Sequence, residues 1–254
     1  MPKEVVKFLI KNKTAIIQLN RPKVHNSINE AVMNKMEEFL DEVEQNDDIR
    51  TIILTGAGNE SFCSGGDLRY FATLKTTNDV CNMSIKMQKI LDRFWENSKP
   101  VIAAINGQAF GGGCEILTAC HLRVAASHAQ FIFRHAANGI ITGWGGGLRF
   151  FHQVGHAAAL PLLLTSDKIR AVEALRIGLV DKVVKSERLL SETFGIARKI
   201  NNNSPAAVQK FLRLARMVKT EKPEDIKKFE RDTFLELWEG KDFQKVLEKY
   251  QSNK

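Results

Sequence analysis

A chain of 254 residues, 44% hydrophobic and 26% charged, has the composition of an ordinary soluble protein and is long enough to bury a sizeable core. Its four cysteines, Cys63, Cys81, Cys114 and Cys120, lack CxxC spacing, which excludes a small disulfide scaffold and reads as reduced thiols of a cytoplasmic protein. The net charge of +8 suits nucleic acid, an anionic membrane surface or a phosphorylated small ligand, and the scattered basic residues select none of them.

The start, MPKEVVKFLIKNKTAII, breaks its apolar run with Lys7, Lys11 and Lys13 and has no small-residue cleavage site, so it does not read as a signal peptide. No segment is apolar for long enough to cross a bilayer. VVKFLI and TAIIQL, separated by KNK, predict a β-hairpin. Val32, Met33, Met36, Phe39, Leu40 and Val43 then recur at helical spacing behind Asn29 as N-cap. TIILTG is a short buried strand, GAGNESFCSGGD a loop, and Val80 to Phe94 a second amphipathic helix. PVIAAIN predicts a strand that feeds directly into QAFGGGCE, which puts Gly111 to Gly113 in a strand-to-helix turn and Glu115 in the first helical turn. LRVAA and AQFIF read as strands, GWGGGLRFFHQVG as a helix start, and AVEALRIGLVDKVV as a helix stopped at Gly178 before a strand. From Ser186 onward the pattern is helical, broken at Pro205 and Pro223, with apolar faces at Val208, Phe211, Leu212 and Ala215 and at Phe229, Phe234, Leu235 and Trp238. Those helices are expected to fold over the core or against a neighbouring subunit. Repeated β-then-α units predict an α/β layered fold.

Several signatures fail. GAGNES lacks the third glycine of a dinucleotide fingerprint, no GxxxxGK is present, and Ser64 in FCSGG lacks the first glycine of a nucleophile elbow. His152 and His156 are four apart but have no glutamate between them, so no metal site is expected. What remains is a pair of glycine turns, FCSGGDL and FGGGCE, able to aim two backbone N–H groups at one oxygen. The plain alternative is two ordinary turns and a solvated Glu115.

In order, RPKVHNSINEAV, IILTGAG, FCSGGDL, KPVIAAINGQAFGGGCEILTACHLRVAASHAQF, GWGG, EALRIGLVDKVV and SPAAV resemble the crotonase superfamily, the enoyl-CoA hydratase/isomerase family, over most of the chain. The resemblance implies a crotonase-like β/β/α spiral core at 1–195 that binds acyl-CoA and a C-terminal helical segment at 196–254 that covers the site or a trimer interface. It implies trimers, often paired into hexamers, acyl-CoA thioester substrates, and no cofactor beyond the CoA that belongs to the substrate. Carried over by position, the oxyanion donors are the N–H groups of Gly66 and Gly112, Glu115 is the first of the two hydratase glutamates, and Ser64, Asp67 and Gly111 belong to the substrate-binding turns.

The chain departs from that pattern at two places. The second hydratase glutamate, four residues before the glycine matching Gly139, is His135, and the usual aspartate after the AC pair is His121, which is expected to be structural. FCSGGDL, GGGCE, a histidine at 135 and WGG together resemble the ethylmalonyl-CoA and methylmalonyl-CoA decarboxylase side of the superfamily. There an enolate needs an oxyanion hole and a proton donor, and a second carboxylate would repel the substrate's own. The alternatives are hydration of a 2-enoyl-CoA with His135 holding water and, less favoured for want of an RNP motif, an RNA-binding or scaffold member of the family.

Overall fold

The computed structural model describes residues 4–252. β1 (Val6–Lys11) and β2 (Thr14–Leu19) form the expected hairpin, turning through Asn12 and Lys13 at positive φ. α1 (Glu30–Gln45) begins at Asn29, whose side chain accepts the Val32 N–H at 3.1 Å, and all six of its expected apolar positions are buried. There follow β3 (Thr51–Gly56), β4 (Ser61–Cys63), α2 (Leu68–Phe71) and α3 (Thr77–Glu96). Then come β5 (Val101–Ile105), β6 (Gln108–Phe110), α4 (Gly112–Thr118), β7 (Leu122–Ala126), β8 (Gln130–Ile132), α5 (Gly146–Val154) and α6 (His156–Thr165). β9 (Ile169–Arg170), α7 (Ala171–Arg176), β10 (Lys182–Val184) and α8 (Leu189–Asn201) complete the core, and α9 (Pro205–Thr220), α10 (Pro223–Trp238) and α11 (Lys241–Ser252) end the chain.

The large sheet runs β1-β2-β3-β5-β7-β10 and the small one β4-β6-β8-β9. Three times a strand of the large sheet passes into a short strand of the small sheet and then toward a helix: β3 to β4, β5 to β6, β7 to β8. This is the β/β/α spiral expected from the sequence. The segment 56–67, expected to be loop throughout, contains β4, and PVIAAIN does not feed straight into the glycines because β6 intervenes. Asn26 and Asn106 hold these crossings: the amide groups of both donate to the Ser61 carbonyl, at 2.7 and 3.1 Å.

The parallel strands β3 and β5, and β7 after Leu122, are buried on both faces. Ile52, Leu54, Val101, Ala103 and Ile105 face α1, α3 and α4, whereas Ile53, Ile102, Ala104 and Val124 face Leu189 and Ala197 of α8. The division at 195/196 falls inside α8, which covers the large sheet, so the segment outside the core begins after Asn201. On α9 and α10, Phe211, Phe234, Leu235 and Trp238 remain exposed. His152 and His156 lie on different helices, α5 and α6, separated by Gly155. No described helix is long and apolar enough to cross a membrane.

Candidate active site

The two glycine turns meet at the head of α4. A Cβ on Gly65 would lie 2.8 Å from the Gly112 nitrogen, and one on Gly113 would lie 2.0 Å from the Cys63 carbonyl oxygen, so only glycine allows this approach. Gly111 takes φ 51° and ψ −118°, which redirects the chain from β6 into α4.

The amide directions follow from the neighbouring hydrogen bonds. Ile28 N–H donates to the Gly65 carbonyl and Asp67 N–H donates to the Ile28 carbonyl, both at 2.8 Å, which leaves the Gly66 N–H outside that bridge. Gly112 is the first residue of α4, where an N–H has no intrahelical acceptor. Ser64, Gly66, Gly111, Gly112, Glu115 and His135 line one cleft of about 820 Å³. Six of the seven residues expected at the site are therefore brought together.

The exception is Asp67, which does not line the cleft. Its carboxylate meets the Arg21 guanidinium at 2.7 Å and accepts the Arg69 N–H at 2.9 Å, capping α2. Burial opposes ionisation there, but the bonds from Arg21 and Arg69 prevail and hold the carboxyl below its usual range. The expectation of substrate binding is corrected to a positioning role: Asp67 ties the first glycine turn to the 21–27 loop.

Glu115 is 2% exposed, so the solvated-helix alternative fails. Its Oε2 accepts the N–H groups of Trp144 and Gly146, each at 2.9 Å, and its Oε1 lies 3.1 Å from His135 Nε2. The carboxylate thus sits at the N-terminus of α5, where free amides and the helix dipole favour negative charge. A Cβ on Gly146 would lie 2.5 Å from the Glu115 Cβ, so α5 approaches this closely only through a glycine. Arg149 braces the same turn by donating to the Trp144 carbonyl at 2.7 Å and to Asp92 at 3.0 Å. His135 is 7% exposed, and its Nδ1 meets no partner among the described residues.

The sequence pattern marks GWGG but assigns no partner to Trp144, Gly146 or Arg149. The GWGGG run was the available signal: consecutive glycines ahead of a helix present bare amides, but nothing in residue type says which carboxylate they meet.

His121 lies away from the cleft, as a structural residue would. Its Nδ1 accepts the Val101 N–H at 2.9 Å and its Nε2 donates to the Trp95 carbonyl at 3.1 Å. Burial, with Arg216 and Arg123 nearby, lowers its pKa to about 4. Cys63, Cys114 and Cys120 are buried free thiols, and burial pushes Cys63 and Cys120 up to about 12.

Residues 10–254 match the family described as enoyl-CoA hydratase/isomerase. The chain is 40% identical over 197 residues to the short-chain-enoyl-CoA hydratase of Clostridium acetobutylicum, covering 78% of this chain and 75% of that one. It is 38% identical, with the same two coverages, to the crotonyl-CoA hydratase of Syntrophomonas wolfei. The crystal structure of an enoyl-CoA hydratase from Bacillus anthracis superposes with a TM-score of 0.93 at 29% identity, covering 98% of this chain and 97% of that one.

Proposed function

Since the chain belongs to the enoyl-CoA hydratase/isomerase family, we propose that it adds water to a 2-enoyl-CoA thioester, with Glu115 and His135 as its acid–base pair and the Gly66 and Gly112 amides as its oxyanion hole. The observation that carries this reading is the 3.1 Å contact between two buried titratable side chains at the cleft wall beside those amides. The names of the hydratase relatives support it over the decarboxylase reading.

In the proposed cycle Glu115 acts as the base and His135, through Nε2, as the acid. Glu115 Oε1 takes a proton from water as the water oxygen bonds to C3. The C2–C3 π pair moves into the thioester, and the enolate oxygen is held by the two amides. C2 then takes the Nε2 proton of His135. Passage of the Glu115 proton to Nε2 across the direct contact restores both groups, so the net change is one water added. This sequence uses water and the two side chains and requires no further cofactor. Exposed Phe211, Phe234, Leu235 and Trp238 on the C-terminal helices support self-association.

One observation favours a second reading, decarboxylation of a malonyl-type CoA thioester. Glu115 is the only carboxylate among the described residues lining the cleft, and His135 stands where a hydratase carries another. In that reaction the C2–carboxyl bond breaks, its electrons form the enolate held by the amides, CO₂ leaves and His135 protonates C2. Crotonyl-, malonyl-, methylmalonyl- and ethylmalonyl-CoA, incubated separately with the protein and analysed by mass, separate the two. Crotonyl-CoA gaining one water supports hydration. Crotonyl-CoA left intact while a malonyl-type thioester loses CO₂ replaces it with the second reading.

A further inference from the structure

Arg134 immediately precedes His135 and lines the same cleft. Elsewhere in the molecule Arg21, Arg93, Arg123, Arg149, Arg176 and Arg188 each meet a carboxylate, whereas the exposed Arg69, Arg170 and Arg198 have no side-chain partner among the described residues and line no part of the cleft. The Arg134 side chain makes no hydrogen bond, ion pair or ring contact with any described residue. Nor can the cleft supply an anion: its single carboxylate, Glu115, is already engaged through both oxygens by Trp144, Gly146 and His135. Arg134 is also the only Lys or Arg among the described lining residues.

The remaining wall beside it is apolar and open. Leu68, Ile140 and Ile141 line the cleft at 75%, 58% and 83% exposure. The exposed Arg134 guanidinium beside exposed aliphatic side chains suits a ligand with a hydrocarbon chain and an anionic group, since filling the cleft removes apolar surface from water and lets the guanidinium exchange water for a carboxylate.

We propose that Arg134 pairs with a carboxylate carried by the acyl chain, so that the substrates are thioesters of dicarboxylic acids. This deepens the proposed function and rests on its placement of the thioester at Gly66 and Gly112. The nucleotide phosphates of CoA are the other anionic candidate. They are separated from the thioester by the whole pantetheine arm, whereas Arg134 lines the same cleft as His135, the group assigned to C2.

The test is calorimetric binding of butyryl-, succinyl- and glutaryl-CoA to the wild type and to R134Q, with free CoA as a control. None of these ligands carries the double bond, so the readout is independent of turnover. The wild type is expected to bind at least one of the two acidic thioesters about tenfold more tightly than butyryl-CoA, as a charge-assisted hydrogen bond provides. In R134Q that preference disappears while butyryl-CoA affinity stays within about twofold. Equal wild-type affinities for all three thioesters would overturn the proposal. Equal weakening of all four ligands in R134Q would also overturn it and assign Arg134 to the CoA phosphates. If acidic thioesters are preferred but no enoyl-CoA is hydrated, the hydratase reading fails while the inference about Arg134 stands.

Discussion

His121 and His135 each occupy a position where the family pattern carries a carboxylate, yet their surroundings differ. The His121 ring is bonded at both nitrogens to backbone groups, a Val101 N–H and a Trp95 carbonyl, and lies 6.0 Å from the Trp95 ring at an interplanar angle of 11°. Those partners fix one neutral tautomer and tie the start of β5 to the end of α3. His135 has one ring nitrogen on a carboxylate and the other unpartnered, at the wall of a cleft. An imidazole with both nitrogens committed to backbone is a strut. One that shares a carboxylate and keeps a nitrogen unpaired can exchange a proton without breaking the fold.

The largest expected effect comes from breaking the pair at the cleft. Glu115→Gln can still accept the Trp144 and Gly146 amides but cannot take a proton, so kcat should fall by about 100 to 10,000-fold with the circular dichroism spectrum and Tm nearly unchanged. His135→Ala should lower kcat by about 100-fold or more, again with a small change in Tm. Turnover by either variant within a few-fold of wild type would remove that residue from the chemistry.

How far the site was legible in the sequence follows from the same contrast. Whereas His135 and Gly66 took their roles from the family resemblance, Glu115 and the glycines at 111–113 could be found because their residue types are unusual for their places, a carboxylate in an apolar run and three successive glycines between a strand and a helix. The donors that hold Glu115 could not, because they are backbone amides of Trp144 and Gly146, twenty-nine and thirty-one residues away, and every residue but proline has one. Asp67, placed with the substrate by its position in the family pattern, is occupied by Arg21, which approaches it only in the folded chain.

The fold was legible where periodicity lasts. α1 and the buried part of α3 followed from apolar spacing, but β4 and β6 are three residues each, too short to show alternation, and are paired to each other through residues far apart in sequence. For that reason three structural turns of the spiral left no detectable repeat.

A second prediction sharpens the comparison from the other side. His121→Ala leaves the Val101 N–H and Trp95 carbonyl without their partner, at a cost of about 2–4 kcal/mol. In a chain of 254 residues that lowers Tm by roughly 5–10 °C. Turnover per folded molecule should be retained, the reverse of the His135→Ala result. An unchanged Tm would mean that water replaces the ring at no cost.

The smallest effect is in the pH dependence of stability, and its sign is fixed by the tautomer of His121. The folded pKa is lowered to about 4 from an ordinary 6.5, by burial first and then by Arg216 and Arg123. Between those values the unfolded chain binds more protons at this residue than the folded one, so stability rises with pH. The contribution is fully present above pH 6.5 and is lost as pH falls toward 4. From pH 6.5 to 5.5 it amounts to about 1 kcal/mol. Urea unfolding of the wild type and His121→Gln at these two pH values isolates it, because glutamine can accept from Val101 and donate to Trp95 without titrating. The wild type should lose about 1 kcal/mol more than the variant on acidification. Equal losses would show that the ring accepts a proton in place, and His121 would no longer be the fixed member of the pair.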